Sequence, residues 1–274
     1  MMRVGRIGYI NCYPVHGAID RGIVTSPGEF VTGTPTELNN LLAAGELDVS
    51  VVSAVEYARN AREYHLLPDL AISCDGPVRS VALFAHRDVH ELDGATVIVS
   101  ASSRTSVHLI ELLCREYWQV HPQLVEARAE SQDLDALRSL PHDAVLVIGD
   151  AALVLAAHDR YAFRYDLGEV WKAWTGLPFV FAVWAARRDA DQQAVADVHK
   201  ALVASRDWGL AHLEELAHAA HEATSISLEV CRTYLSGLDY ALSYRHLEGL
   251  TSFLRRLAAH GVVRDGTLSF LSVA

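Results

Sequence analysis

Thr34-Pro35-Thr36-Glu37-Leu38-Asn39-Asn40-Leu41-Leu42-Ala43-Ala44-Gly45 is followed two residues later by Asp48-Val49-Ser50-Val51-Val52-Ser53-Ala54-Val55-Glu56. Thr34 and Glu37 have the spacing of a capping box, and Pro35 stands where a helix needs no N–H, so a helix is predicted from here to a stop at Gly45. The β-branched run 48–52 reads as a strand, and Ser53 and Glu56 repeat the capping spacing for a second helix. Upstream, Arg6-Ile7-Gly8-Tyr9-Ile10 reads as another strand, turning through Asn11-Cys12-Tyr13-Pro14-Val15 into a helix. A β-α-β-α order predicts a parallel sheet with right-handed crossovers. Ligands of such sheets lie beyond the strands' carboxyl ends, which makes Asn11 a candidate site residue. The competing reading of Asn11 is a turn residue and nothing more.

Working outward, Gly76-Pro77-Val78-Arg79-Ser80-Val81-Ala82-Leu83-Phe84-Ala85 and Gly176-Leu177-Pro178-Phe179-Val180-Phe181-Ala182-Val183-Trp184-Ala185 look alike. Each is a long apolar strand opened by a Gly/Pro turn. The α/β stretch between them reads as strand 96–100, helix 104–118, strand 125–129, helix 134–140 and strand 144–148. The two long strands are therefore expected to carry the chain to a second lobe and back. Residues 1–86 with 187–274 would form one lobe and residues 87–186 the other. After Asp189 the spacing turns helical over 194–208, 209–221, 228–235 and 244–259, with Gly261 ending the last helix.

The 274 residues carry a formal net charge of −11, with 51% hydrophobic and 21% charged residues. That balance fits an ordinary globular chain. It opposes nucleic-acid binding, because no basic face or Lys/Arg run is available to neutralise phosphate. Cys12, Cys74, Cys114 and Cys231 form no C-x-x-C pair and indicate neither zinc nor redox chemistry. His218 and His221 share a helical face but lack a third ligand motif, so a solvated face is expected there and no metal. No G-x-S-x-G elbow or P-loop occurs. With no leader-like run and no apolar segment of membrane length, a cytoplasmic protein is expected.

Ser100-Ala101-Ser102-Ser103-Arg104-Thr105-Ser106 follows a strand and opens a helix. Hydroxyls, free N–H groups and the positive end of the helix dipole make Ser102, Ser103, Thr105 and Ser106 candidates for holding a carboxylate or phosphate. Gly149 permits close backbone approach, and Asp150 would either accept from a substrate hydroxyl or cap the next helix. Alternation along strand 76–85 places Arg79 and Ser80 on opposite faces, so one of them would point into a cleft. His16, close behind Asn11, reads as a surface histidine of the short helix, the competing reading being that it reaches the cleft.

Taken together, the chain resembles the chorismate dehydratases of the futalosine route to menaquinone. The resemblance rests on six ordered blocks: Arg6-Ile7-Gly8-Tyr9-Ile10-Asn11-x-x-Pro14; Gly33-Thr34-Pro35-x-Glu37-Leu38-Asn39 with Asp48 and Ser53; Arg79-Ser80-Val81; Ser102-Ser103-x-Thr105-Ser106; Ile148-Gly149-Asp150; and Trp174-x-Gly176-Leu177-Pro178-Phe179-Val180-Phe181-Ala182. It implies an α/β, two-lobe fold of the type II periplasmic-binding-protein kind, with mixed, mostly parallel sheets joined by two crossing hinge strands and substrate held between the lobes. It implies loss of water from chorismate to give 3-[(1-carboxyvinyl)oxy]benzoate without a cofactor. Asn11 and Ser80 would orient the reacting substrate, while the hydroxyls after Ser100 bind a carboxylate and Asp150 or a water serves the leaving hydroxyl. The rival readings are the sister 1,4-dihydroxy-6-naphthoate synthase, whose elbow is of a Ser-Pro-Cys-Pro-Asn-Asp type, and a non-catalytic small-anion binding protein.

Overall fold

A computed structural model describes residues 1–100, 104–127, 134–137, 139–158 and 160–272. In chain order the regular elements are β1 (Met2–Ile7), α1 (Tyr13–Asp20), β2 (Gly28–Gly33), α2 (Pro35–Ala43), β3 (Val49–Ser53), α3 (Ala54–Arg59), β4 (Tyr64–Cys74), β5 (Val81–Ala85), β6 (Thr96–Ser100), α4 (Arg104–Leu112), β7 (Gln123–Ala127), α5 (Leu134–Leu137), β8 (Ala144–Ile148), α6 (Gly149–Ala156), β9 (Phe163–Asp166), α7 (Leu167–Thr175), β10 (Phe179–Arg187), α8 (Gln192–Ala211), α9 (Leu213–Ala223), α10 (Leu228–Gly237) and α11 (Tyr244–Ala259). A π-helical turn, Leu113–Trp118, extends α4. No helix among the described residues is long and apolar enough to cross a membrane.

The chain divides into two units, one made of residues 1–73 with 180–274 and the other of 74–179. These breaks differ from the sequence-derived positions after residues 86 and 186. The reason is strand pairing. β5 lies wholly within the sheet of the second unit, its Val81–Ala85 opposite Ile148–Ala144 of β8. β10 pairs with β3 of the first unit, Trp184 opposite Val51. The segments connecting the units thus follow β4 and precede most of β10. The eleven-residue β4 was not anticipated from the sequence.

The first unit holds a five-stranded sheet in the order β2-β1-β3-β10-β4. β1 is parallel to β2 and β3, whereas β10 runs antiparallel to β3. Every residue of β3 is buried, as expected for a central strand covered on both faces. The α2 capping box forms as read: the Thr34 hydroxyl accepts from the Glu37 N–H at 3.3 Å, and Glu37 accepts from the Thr34 N–H at 2.8 Å. At α3 the Ser53 hydroxyl caps Glu56 N–H at 3.2 Å, and the Glu56 carboxylate takes the Asn60 amide at 2.7 Å.

Gly209, expected to begin a helix, lies inside α8. A Cβ there would stand 2.2 Å from the Pro14 carbonyl oxygen, so this glycine lets α8 touch the backbone of α1. The break falls at His212 instead.

The second unit contains a sheet in the order β7-β6-β8-β5-β9. β6 is parallel to β7 and β8; β5 is antiparallel to β8 and β9. Ala82, Phe84, Ile98, Val145 and Val147 pack with Leu134 and Leu137 of α5 and with Ala151, Ala152 and Leu155 of α6. Complete burial of the Val, Leu, Ile and Phe side chains among them contributes about 1.5–3 kcal/mol each.

Candidate active site

In the first unit, β1 ends in a single 3-10 turn, Ile10–Cys12, that passes directly into α1. Cys12 is the residue before α1, and its side chain makes no cap hydrogen bond. Asn11 lies in that turn, four residues beyond the end of β1, because the strand stops at Ile7 and not at Ile10 as the sequence pattern indicated. Its Oδ1 is buried and accepts no hydrogen bond from a described residue. An oxygen that only stabilised its own turn would have a backbone partner.

His16 departs from expectation. The imidazole is buried, 3% exposed, lying edge-on to Phe30 at 5.5 Å and tilted to Trp184 at 6.3 Å between centroids. Burial, with the Arg6 charge nearby, pushes its pKa down to about 3, so it is neutral near pH 7. Neither ring nitrogen has a partner among the described residues; the same is true of Asn39 Oδ1 and Trp184 Nε1. An atom of this kind left without any partner, water or ligand included, costs about 1–3 kcal/mol. Such atoms in folded chains are normally paired by bound water, an ion or a ligand. Asn39 belongs to a motif quoted from the sequence, and its 1% exposure and unpartnered Oδ1 set it apart from an ordinary helix residue.

In the second unit, the pairing brings three predicted segments to one end of the sheet. β6 and β8 are parallel and end at Ser100 and Ile148, while antiparallel β5 begins there at Val81. The Gly149 N–H donates to the Ser80 carbonyl at 2.7 Å, joining two of the candidates through backbone. Ser80 is 3% exposed. It lies outside the strand, because β5 starts at Val81 and Arg79 adopts a left-handed φ of +65°. Arg79 and Ser80 therefore do not alternate along a strand as the sequence pattern indicated. Gly149 has φ +62°, a conformation that glycine adopts without the Cβ penalty.

Thr105 and Ser106, in the first turn of α4, are each 2% exposed. Ser102 and Ser103 lie outside the described residues. Asp150 is half-buried in the first turn of α6, and the residue before that helix, Ile148, provides no side-chain cap; Asp150 is thus not the cap considered from sequence. The histidines of α9 serve local structure: His218 pairs with Glu214 at 3.1 Å, and His221 Nδ1 meets the Ile226 carbonyl oxygen at 2.8 Å. Sequence reasoning overlooked Asp166, the buried N-cap of α7, which also binds the backbone leading to Ser80. A lone Asp before a helix carries no signal for that second task.

A family model described as menaquinone biosynthesis matches residues 2–259. The chain belongs to this menaquinone-biosynthesis family. It is 33% identical over 238 residues to a chorismate dehydratase of Thermus thermophilus, spanning 81% of this chain and 84% of that protein. A chorismate dehydratase of Campylobacter jejuni is 28% identical over 185 residues, 66% of each chain. A crystallised protein of Archaeoglobus fulgidus superposes with a TM-score of 0.80 at 20% identity, covering 96% of this chain and 98% of that one. The alkanesulfonate-binding protein SsuA of Xanthomonas axonopodis pv. citri gives 0.69 at 13% identity, covering 97% and 95%. The fold is that of periplasmic binding proteins.

Proposed function

We infer that this member of the menaquinone-biosynthesis family is a chorismate dehydratase, a lyase converting chorismate to 3-[(1-carboxyvinyl)oxy]benzoate. The observation that carries the reading is the 33% identity extending over 84% of the Thermus thermophilus chorismate dehydratase. The reaction removes a ring hydroxyl and a neighbouring ring proton. The C–H electron pair becomes a ring double bond, the C–O bond breaks, and the proton and hydroxide leave as water. Aromatisation drives the step, so the protein's task is to orient the substrate and exclude solvent.

The substrate supplies its own base in this reading: its side-chain carboxylate takes the ring proton. Asn11 and Ser80 hold that carboxylate in reach. Support comes from the buried, unpartnered Oδ1 region of Asn11 and from the fixed backbone at Ser80. Thr105 and Ser106, with Ser102 and Ser103 of the same run, bind a carboxylate at the start of α4, Gly149 lets the ligand approach the backbone, and Asp150 or a water receives the leaving hydroxyl. His16, neutral and buried, is a poor candidate for a proton-transferring base, since a pKa near 3 is far from the working pH.

Incubation of the purified protein with chorismate tests the activity. Loss of the cyclohexadiene absorbance with appearance of an aromatic product is expected. Tight binding of unchanged chorismate would instead support a small-anion binding protein, and a naphthoate product from its own substrate would support the sister synthase.

A further inference from the structure

The backbone ahead of Ser80 is gathered by one carboxylate. Asp166 closes β9 and precedes α7, and it is 7% exposed. Its Oδ1 accepts the N–H groups of Gly168 at 3.0 Å and Glu169 at 3.2 Å, which is an ordinary N-cap. The same oxygen accepts from Val78 at 3.0 Å, and Oδ2 accepts from Arg79 at 2.6 Å. These last two contacts contribute nothing to capping the helix. They reach across to the loop that delivers Ser80.

That loop holds a backbone conformation it would not adopt unaided. Arg79 has φ +65°, a left-handed conformation that is unfavourable for a residue with a Cβ. Its N–H goes to Asp166, and its carbonyl accepts from Arg164 Nη2 at 3.0 Å, so β9 grips both ends of the residue. The Ser80 N–H donates to the Val78 carbonyl at 2.8 Å, and the Ser80 carbonyl accepts from Gly149 at 2.7 Å. The Ser80 backbone is fixed on both sides, and an ionised acceptor makes the Asp166 bonds stronger than neutral ones.

We propose that Asp166 is a positioning residue for the dehydration, its Oδ2 locking the left-handed Arg79 peptide so that the Ser80 hydroxyl meets the substrate in the reacting orientation. This rests on the reading of Ser80 given above. Asp166→Asn is the informative change. It keeps Oδ1 for the helix cap but sets an amide NH2 against the Arg79 N–H, two donors face to face.

The test is a double-mutant cycle on kcat, with the thermal midpoint measured alongside. Asp166→Asn is expected to lower kcat by roughly tenfold or more in the otherwise unchanged protein, with a smaller effect on KM. In a Ser80→Ala background the same change is expected to lower kcat by less than about threefold, because the group it positions is gone. Equal losses in both backgrounds, or no loss in the first, overturn the proposal while leaving Ser80 in place. An unaltered kcat for Ser80→Ala alone overturns the Ser80 reading and this inference with it. Should Asp166→Asn fail to fold, Arg164→Ala releases the other end of the Arg79 peptide without touching a cap. Its kcat loss is likewise expected to vanish in the Ser80→Ala background, and persistence there overturns the proposal.

Discussion

His16 carries a measurable signature because its imidazole is held neutral by burial, with a pKa of about 3 against 6.5 for a free histidine. Below pH 6.5 the unfolded chain takes up a proton that the folded chain refuses, so folding stability falls as pH drops from 6.5 towards 3. The slope from this one group approaches about 1.4 kcal/mol per pH unit. His16→Phe removes it. Urea unfolding across this window should show a flatter acid side for the variant, and an unchanged slope would show that the imidazole protonates in the folded protein. In the proposed reaction, turnover depends on Asn11 and Ser80. Asn11→Ala and Ser80→Ala should each lower kcat by ~10² or more with the fold retained, the scale expected when a reacting group loses its orientation. Turnover unchanged in both would remove them from the site. The place of Asn11 in the turn before α1 was legible from sequence because Pro14 marks the start of that helix. His16 was not, since nothing in its neighbours along the chain says that Phe30 and Trp184 enclose it.

At the scale of elements, α1 and α8 meet through Pro14 and Gly209, where a Cβ would come within 2.2 Å of a carbonyl oxygen. Backbone cannot yield as a side-chain tip can, so Gly209→Ala must displace α1, whose first residue, Tyr13, lies two positions after Asn11. Overpacking of this kind costs about 1–3 kcal/mol. The variant should show a lowered urea midpoint and a reduced kcat at temperatures where it stays folded; a midpoint equal to the parent's would mean the two helices separate freely. The sequence pattern misread this glycine as a helix start because glycine weakens a helix locally, and only the neighbouring chain explains its place. Strands with strong local signals were read closely: 96–100 and 144–148 coincide with β6 and β8. β4 was missed because Pro68 and Asp69 interrupt its apolar run, and Asp69 takes a φ of +54° within it. The expected strand 76–85 is half loop, since Arg79 leaves extended geometry just before Val81.

For the whole molecule, the division into two α/β units was legible because a self-contained run of alternating strands and helices interrupts a chain that resumes with helices. The positions of the breaks were not, as they depend on which sheet β5 and β10 join. If the proposed residues act on one substrate, bound 3-[(1-carboxyvinyl)oxy]benzoate should protect the amides around Asn11, Ser80 and Gly149 from exchange together. Protection confined to one of the two units would reassign the residues of the other.

The reaction itself is the most decisive observable. Chorismate mixed with the purified protein and followed by proton NMR should lose its ring-diene signals while 3-[(1-carboxyvinyl)oxy]benzoate accumulates in equimolar amount, with the enolpyruvyl side chain intact and the Asn11→Ala variant far slower. Chorismate that stays unchanged at saturating protein, or a product that has lost its enolpyruvyl group, would contradict the dehydratase assignment.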